Sequence, residues 1–442
     1  MIIVGNGTVI TLDDQQRVIE NGAVLIEKDR ILDVGKTEDL MQRFSDVTFI
    51  DAKHGLIMPG MTNIHTHFYS AFARGMAVPG EPAQNFPQIL ERLWWKLDKA
   101  LNLEAVYYSA LVSMIENIKN GTTTIIDHHA SPFAVTESLL HIAKAAEFTG
   151  IRTSLCYEVS DRDGEKVTKQ GIEENKRFIE YTQKADNPLL KGTFGIHASF
   201  TVSDQTLEHC ATVCKDLNSG IHIHVAEDRF DVEETERQFG ISVVERLEKF
   251  RLLGPKTIAA HCVHITEQEI DILVRTQTAV AHNPESNMGN AVGCAPIKKF
   301  LEAGMRVGMG TDGYTSDMFE GIKVGNLLHK HENKDPQAAW VEIPQMIFTN
   351  NREILTNHFG QPLGVLKPGA YADVITIDYH PTTPIHKDNY YGHLLFGVSG
   401  GMVNTTIIGG KIRMCDRQLV EIDEKEITRM ARQLAKTLWS QL

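Results

Sequence analysis

The middle of this sequence repeats one pattern, in which a short apolar run typical of a buried strand is followed by a stretch with helical periodicity. Helical patterns occupy most of the intervals, for example residues 105–120 and 132–149. The strand-like runs are residues 61–67, 122–128, 151–157, 191–197, 220–225, 257–262, 278–283 and 305–311. Eight strands that alternate with helices predict an α/β fold of the (β/α)8 type, a TIM barrel with parallel strands. A doubly wound sheet is the alternative.

Both ends of the chain have a different pattern. Residues 1–53 alternate short β-rich runs with turn signals such as Asn6-Gly7 and Asn21-Gly22, which is typical of antiparallel strands. Residues 371–378 and 403–414 have the same character near the other end. The simplest interpretation is one small β-sandwich domain that is assembled from the N- and C-terminal segments.

The change of pattern also predicts where the domains meet. We expect residues 1–55 and 360–442 to form the small β domain, and residues 56–359 to form the barrel. The tail carries an amphipathic stretch at about 424–441, and its apolar residues recur at helical spacing. This stretch predicts a final helix.

Composition and charge exclude several classes of protein. The net charge of −13 disfavours nucleic acids and anionic membrane surfaces as partners. No apolar run approaches the ~18 residues of a membrane span, and the first residues lack the basic segment of a signal peptide. The six cysteines are scattered along a long chain, which is not typical of a disulfide framework. These features predict a cytoplasmic protein.

The first strand of the repeat ends in His65-Thr66-His67. Residues i and i+2 of a strand point to the same side, so the two imidazoles can face one point. Imidazole is the commonest side-chain ligand of zinc and similar ions. An isolated His-x-His pair is as compatible with two polar residues at a solvated rim as with a metal site. A metal site therefore requires further ligands from other strand ends.

The ends of the other strands supply such groups. In a (β/α)8 barrel the active residues lie at these ends. The chain has 19 histidines, and at least one falls at the end of six of the eight strands, which chance placement would hardly produce. The candidates, in chain order, are His65, His67, Asp127, His128, His129, Glu158, His197, His224, Glu227, His261, His282, Asn283 and Asp312.

Four short motifs at these ends carry a resemblance to a known family. They are His-Thr-His at 65–67, His-Val-Ala-Glu at 224–227, His-Cys at 261–262 and Gly-Thr-Asp-Gly at 310–313. The set resembles the amidohydrolase superfamily, in particular the aminohydrolase and chlorohydrolase subgroup with guanine, S-adenosylhomocysteine and triazine hydrolases. Further phrases resemble the SsnA-type aminohydrolases, and the likeness covers nearly the whole chain.

The resemblance implies one divalent metal ion per chain, zinc with Fe2+ as the alternative. The implied ligands are His65, His67, His224 and Asp312, which leave room for a water. Binuclear relatives need a lysine at the end of the fourth strand, and this chain has His197 there. One metal ion is therefore the expectation.

The resemblance also implies three catalytic roles. Asp312 would accept the proton of the attacking water, and Glu227 would pass a proton to a ring nitrogen of the substrate. His261 would orient the attacking oxygen and stabilise the charge that develops.

Three residues are candidate substrate contacts. His197 matches a family position that touches substrate. Glu158 could bind a substrate amine or only pair with Arg162. Trp94 belongs to a long insertion at 69–100, which could be a lid with aromatic side chains that stack on a flat ring, or could pack in the outer helical layer.

The resemblance favours a deaminase that hydrolyses a C–N bond of a purine-like or pyrimidine-like heterocycle and releases ammonia. Two alternatives stay open: a cyclic amide or ureide hydrolase or chlorohydrolase on the same scaffold, and a barrel that binds a ligand without turnover. The expected partners are a small heterocyclic substrate and a second copy of the chain, since relatives of this type are commonly homodimers.

Overall fold

The N-terminal segment forms half of a β-sheet. The structure, a computed structural model, describes residues 1–78 and 80–442. The first strands are β1 (Ile2–Ile10), β2 (Val18–Glu27), β3 (Arg30–Lys36), β4 (Thr48–Asp51) and β5 (Leu56–Pro59), with helix α1 (Thr37–Arg43) between β3 and β4. Strand alternation gives this sheet two faces, since Ile3 and Leu25 pack against Leu40 of α1 while Val4 and Val24 face the opposite side.

The middle of the chain forms a second sheet that closes into a barrel. Its strands are β6 (Met61–Thr66), β7 (Thr122–His129), β8 (Arg152–Val159), β9 (Leu190–Gly192), β10 (Phe194–Ala198), β11 (Ile221–Val225), β12 (Ile258–His261), β13 (Ala279–His282) and β14 (Val307–Met309). Neighbours are parallel in the order β14-β13-β12-β11-β10-β8-β7-β6, and a parallel bridge between Thr66 and Asp312 joins the two ends of this order. The predicted (β/α)8 barrel is confirmed, and the predicted strand at 191–197 is divided into β9 and β10.

Helices cover the outside of the barrel. They are α2 (Phe86–Ile89), α3 (Trp95–Ala100), α4 (Leu103–Lys119), α5 (Ser138–Thr149), α6 (Glu165–Lys184), α7 (Asp204–Leu217), α8 (Arg229–Phe239), α9 (Val243–Lys249), α10 (Glu267–Arg275), α11 (Pro284–Gly289), α12 (Ile297–Glu302), α13 (Met318–Asn333), α14 (Glu342–Pro344) and α15 (Asn351–Phe359). Because helices cover it, the barrel strands are buried on both faces, as the β-branched run 122–126 of β7 illustrates. No helix in the described part of the chain is long and apolar enough to cross a membrane.

The C-terminal segment completes the first sheet. Its elements are β15 (Val374–Ile377), α16 (Tyr390–Gly397), β16 (Val403–Ile408), β17 (Lys411–Cys415), β18 (Gln418–Leu419) and α17 (Glu424–Trp439). Strand β15 pairs antiparallel with β5, so both ends of the chain share one sheet, in which β4 and β5 run parallel to β1. A small sheet domain beside the barrel is confirmed, whereas the domain limits 1–55, 56–359 and 360–442 stay a prediction.

A buried ion pair joins the barrel to the small sheet. Arg152 of β8 is fully buried, and its Nε and Nη2 donate to the two carboxylate oxygens of Asp373 at 3.1 and 3.2 Å. The guanidinium also lies 3.8 Å from the centroid of the Tyr371 ring. Asp373 accepts a further hydrogen bond from the Gly409 amide. Both charges are therefore satisfied only when the two sheets are in contact.

Arg152→Leu should destabilise the protein by roughly 3–5 kcal/mol, because the Asp373 carboxylate stays buried without its partner. Urea unfolding followed by circular dichroism measures the loss. The double variant Arg152→Leu/Asp373→Asn should lose less than the sum of the single variants. Lys169→Ala, which removes an exposed ion pair with Glu165, is the control and should leave the midpoint nearly unchanged. A similar midpoint for Arg152→Leu and the control would contradict this account.

Candidate active site

Three imidazoles and a carboxylate converge at the C-terminal end of the barrel. His65 and His67 come from the end of β6, His224 from β11 and Asp312 from the turn after β14. His67 Nε2 lies 3.2 Å from His224 Nε2 and 3.0 Å from Asp312 Oδ1. His65 Nε2 lies 3.6 Å from the same Asp312 oxygen. The four residues are buried, so they form a compact polar site inside an apolar barrel.

Hydrogen bonds at the far side of each ring orient the three histidines. His67 Nδ1 donates to the carbonyl oxygen of His128 at 2.6 Å, and His224 Nδ1 donates to that of His197 at 2.9 Å. His65 Nδ1 is 2.8 Å from Nε2 of His222. A ring that donates through Nδ1 keeps its lone pair on Nε2 when it is neutral. The Nε2 atoms of His67 and His224 are therefore available as ligands, and Nε2 of His65 lies near the same Asp312 oxygen.

The donor set fits a divalent metal ion. The Nε2 lone pairs of His67 and His224, 3.2 Å apart, repel each other unless a positive charge lies between them. In addition, His65 Nε2 has no hydrogen-bond partner among the described residues. Burial lowers the pKa of His67, but Asp312 outweighs it and raises this pKa to about 9. The site thus stabilises positive charge. Three imidazoles and one carboxylate are typical ligands of zinc and ferrous iron.

Two further groups face this cluster. His261 donates through Nδ1 to Asn287 Oδ1 at 2.8 Å, and its Nε2 lies 3.6 Å from Glu227 Oε2 and 3.7 Å from Asp312 Oδ2. Burial raises the pKa of the Glu227 carboxyl to about 7. Burial also acts on Asp312, but His65 and His67 hold the pKa of Asp312 well below its ordinary value. The site therefore contains one carboxyl that stays ionised and one that can exchange a proton near neutral pH.

Four residues at the strand ends have a left-handed backbone. The φ angles of Ala226, His261, Cys262 and Asp312 are +45°, +74°, +51° and +52°, a region that residues other than glycine rarely adopt. Backbone hydrogen bonds hold two of these turns, since the amide of Asp312 donates to the His65 carbonyl and that of Ala226 donates to Asp231 Oδ2. The turns direct functional side chains toward the cluster, and such strain is typical of functional sites.

Helix α11 and Asn290 directly after it supply residues that sequence reasoning did not assign to the site. Ser286 Oγ donates to Asp312 Oδ2, and Asn290 Nδ2 donates to Glu227 Oε1 at 3.2 Å. Asn287 Oδ1 forms a hydrogen bond with His261 Nδ1 and so orients this ring. The available signal was the phrase 282–287 after the seventh strand, in which Pro284 begins a helix and polar residues follow at helical spacing.

A cavity of about 680 Å³, called the substrate cavity below, lies over the cluster. The 69–100 insertion contributes Phe86, Leu90, Trp94, Trp95 and Asp98 to its lining. The predicted contacts His197, Glu158 and Trp94 all line it. Among the described residues, the lining contains no lysine or arginine, whereas five carboxylates take part: Asp98, Glu158, Glu227, Asp231 and Asp312. The cavity thus suits a flat, uncharged ring with hydrogen-bond donors.

Both interpretations of Glu158 are compatible with its contacts. One oxygen lies 3.3 Å from His128 Nδ1 and the other 3.7 Å from Arg162, while the side chain also lines the substrate cavity. Arg162 pairs in turn with Asp98, which is 1% exposed and has one carboxylate oxygen without a partner in the described chain. Asp98 is therefore a candidate substrate contact that the sequence analysis missed.

Comparison with known proteins identifies relatives that match this chain over nearly its whole length. The model of the amidohydrolase family matches residues 56–413. A 5'-deoxyadenosine deaminase of Methanosarcina barkeri is 34% identical over 99% of this chain and 98% of its own. A 5-methylthioadenosine/S-adenosylhomocysteine deaminase of Syntrophomonas wolfei is 33% identical over 99% of both chains. The crystal structure of an adenosine deaminase from Xanthomonas campestris with bound zinc superposes with a TM-score of 0.87 and 21% identity, over 99% of this chain and 98% of that one, a likeness that shows the fold.

Purified protein should carry about one zinc or iron ion per chain, and His65→Ala or His224→Ala should lose most of it, because each change removes one of few ligands. Metal analysis by inductively coupled plasma mass spectrometry measures the content. His141→Ala, at a half-buried histidine on helix α5 whose ring contacts the Glu137 carbonyl, is the matched control and should keep the metal. Two equivalents held with similar affinity would contradict a mononuclear site.

Proposed function

The chain belongs to the amidohydrolase family, and we propose that it is a metal-dependent deaminase of an uncharged adenosine-type nucleoside. It is a hydrolase of C–N bonds that acts on an amino-substituted heterocycle and releases ammonia. The observation that carries the proposal is the position of Glu227, His261 and Asp312, which lie close together beneath a cavity with aromatic side chains in its lining.

The lining of the substrate cavity supports a nucleoside without phosphate. Trp94, Trp95 and Phe86 offer ring faces for a purine, and buried carboxylates such as Asp98 can accept hydrogen bonds from hydroxyl or amino groups. A phosphate would be buried beside several negative charges, and the described lining offers it no lysine or arginine. The names of the relatives, which denote adenosine derivatives, agree with this substrate class.

We propose that His65, His67, His224 and Asp312 hold the metal ion, with zinc as its identity and Fe2+ as the alternative. When bound, this ion acts as a Lewis acid that makes a water molecule easier to deprotonate near neutral pH. The orientation of the three Nε2 atoms and the negative charge of Asp312 support this assignment.

The three catalytic groups account for every proton in the reaction. Glu227 transfers one proton of the attacking water to the ring nitrogen beside the reacting carbon, a role that its raised pKa supports. Asp312 transfers the second proton to the exocyclic amine. The C–N bond then breaks, ammonia leaves and the ring keeps a carbonyl oxygen and an N–H. With a proton on Nε2, which lies close to both carboxylates, His261 donates a hydrogen bond to the attacking oxygen and stabilises its negative charge.

An ammonia-release screen tests the function. The panel contains 5'-deoxyadenosine, adenosine, adenosine monophosphate, guanine and aminated pyrimidines. The kcat/KM for 5'-deoxyadenosine should exceed that for the monophosphate at least about 100-fold, because placing like charges together costs several kcal/mol. Preference for the phosphorylated nucleoside would contradict the substrate class. Ring opening of a cyclic amide or chloride release without any ammonia would favour the alternative hydrolases.

Glu227→Gln should retain the metal ion and lower turnover by roughly 10²–10⁴-fold, because glutamine keeps the shape of the side chain but cannot transfer a proton. Metal analysis and steady-state kinetics on one preparation measure both effects. Glu165→Gln, at an exposed glutamate of α6, is the control and should keep wild-type turnover. Loss of metal together with activity in Glu227→Gln would show that Glu227 has been misassigned.

We also propose that the protein is a cytoplasmic homodimer. An exposed apolar patch supports a partner surface: Phe396 is 76% exposed and stacks on Trp340, and Val341 is 68% exposed. Sedimentation velocity at micromolar concentration should find a dimer that Phe396→Asp dissociates. A wild-type monomer would contradict the proposal.

A further inference from the structure

A second cavity, called the side cavity below, lies on the other side of one wall of the substrate cavity. The two cavities share Trp94, Asn290, Asp312, Gly313 and Tyr314. The side cavity measures about 1030 Å³ and lies between the segment after β6, helix α4 and the turn after β14. The side cavity therefore reaches Asp312, beside which ammonia is formed, and it does so from a different direction than the substrate cavity.

We propose that the side cavity is the route by which water enters and ammonia leaves while the purine still occupies the substrate cavity. This inference rests on the proposed deaminase function. The reaction exchanges two small molecules: water adds to the ring carbon, and the exocyclic amine departs as ammonia after it receives a proton from Asp312. A bound purine fills the aromatic cavity over the site, so a second opening allows this exchange before the purine leaves.

The polar lining of the side cavity suits water and ammonia. Asn117 of α4 is 3% exposed, its Nδ2 donates to the Ser113 carbonyl at 2.8 Å, and its Oδ1 has no partner in the described chain. A buried carbonyl oxygen of this kind requires a donor. The hydroxyl of Ser113 donates to the Phe68 carbonyl, which leaves its lone pairs free. Water and ammonia are the small donors that the reaction supplies.

The wall between the cavities is thin because of a glycine. A Cβ on Gly313 would lie 3.1 Å from the Cβ of Ser70 and 3.3 Å from the ring of Trp94, which is tighter than ordinary packing. A larger side chain at Ser70 or Gly313 would therefore narrow the space beside Asp312. The outer part of the side cavity is lined by Arg74, whose side chain is 63% exposed and pairs with Glu116. Because Glu116 neutralises the charge of Arg74, this part of the side cavity does not favour an anionic ligand.

Product inhibition tests the order of release that a separate route implies. With the metal-loaded wild-type enzyme, ammonium chloride should inhibit noncompetitively against the aminated nucleoside, because ammonia leaves first and can return while the purine is bound. The deaminated nucleoside should inhibit competitively. Potassium chloride at equal ionic strength is the control. Competitive inhibition by ammonia would overturn the proposal, since it would mean that ammonia leaves only after the purine.

Two substitutions test the location of the route. Ser70→Leu narrows the space at Gly313, and Asn117→Leu removes the unpartnered carbonyl at similar volume. Each should lower kcat roughly 3–10-fold with kcat/KM and metal content unchanged, because the release of ammonia after the C–N bond breaks then limits turnover. In Ser70→Leu the inhibition by ammonia should become competitive. Ser70→Ala should keep the wild-type pattern, and so should Thr212→Leu, which fills a groove between α6 and α7.

The outcomes separate this inference from the function on which it rests. If the wild type releases no ammonia from any aminated heterocycle, the proposed function fails and the route fails with it. If ammonia is released but its inhibition is competitive, or if folded Ser70→Leu and Asn117→Leu both keep the wild-type kcat and inhibition pattern, the route alone is refuted.

Discussion

The main constraint on this structure is a group of polar side chains that the barrel has to keep buried at one end. Nε2 atoms of three histidines and the carboxylate of Asp312 meet there, and unpaired buried charge is costly. The surrounding fold satisfies the other atoms of these groups: carbonyl oxygens of His128 and His197 accept from two rings, His222 contacts the third, and Ser286 donates to Asp312. The parallel bridge between Thr66 and Asp312 closes the barrel at the same place. Barrel closure and the site therefore depend on the same pair of strand ends.

Environment separates the roles of the two carboxylates beside this cluster. Glu227 lies where burial dominates, so its pKa rises to about 7, whereas Asp312 is held in its ionised form by the imidazoles around it. A pair of acids with pKa values on either side of the ordinary range can take different parts in proton transfer. Helix α11 and the residue after it couple the two, since Ser286 of α11 contacts Asp312 and the following Asn290 contacts Glu227.

The insertion after the first strand turns an open barrel end into a selective cavity. It brings Phe86 and two tryptophans over the site, and it brings Asp98 to Arg162. Trp94 takes part in two surfaces, because it lines both the substrate cavity and the side cavity. Substrate recognition and exchange of small molecules thus depend on the same segment, while the small sheet is joined to the barrel by the buried pair of Arg152 and Asp373.

The sequence alone predicted the barrel from eight apolar runs with helices between them, with a doubly wound sheet as the alternative, and it predicted the small sheet from turn signals at both ends. It also identified His65, His67, His224, Glu227, His261 and Asp312 as candidates, because the strand ends of such a barrel meet on one face. Only the tertiary structure decided what surrounds them. The left-handed turns at His261 and Asp312, the contacts of Ser286 and Asn290, and the pairing of Asp98 with Arg162 depend on segments far apart in the chain. Local periodicity reports burial and secondary structure, but it contains no information on which distant side chains come within hydrogen-bonding distance, because that is set by how the packed elements meet.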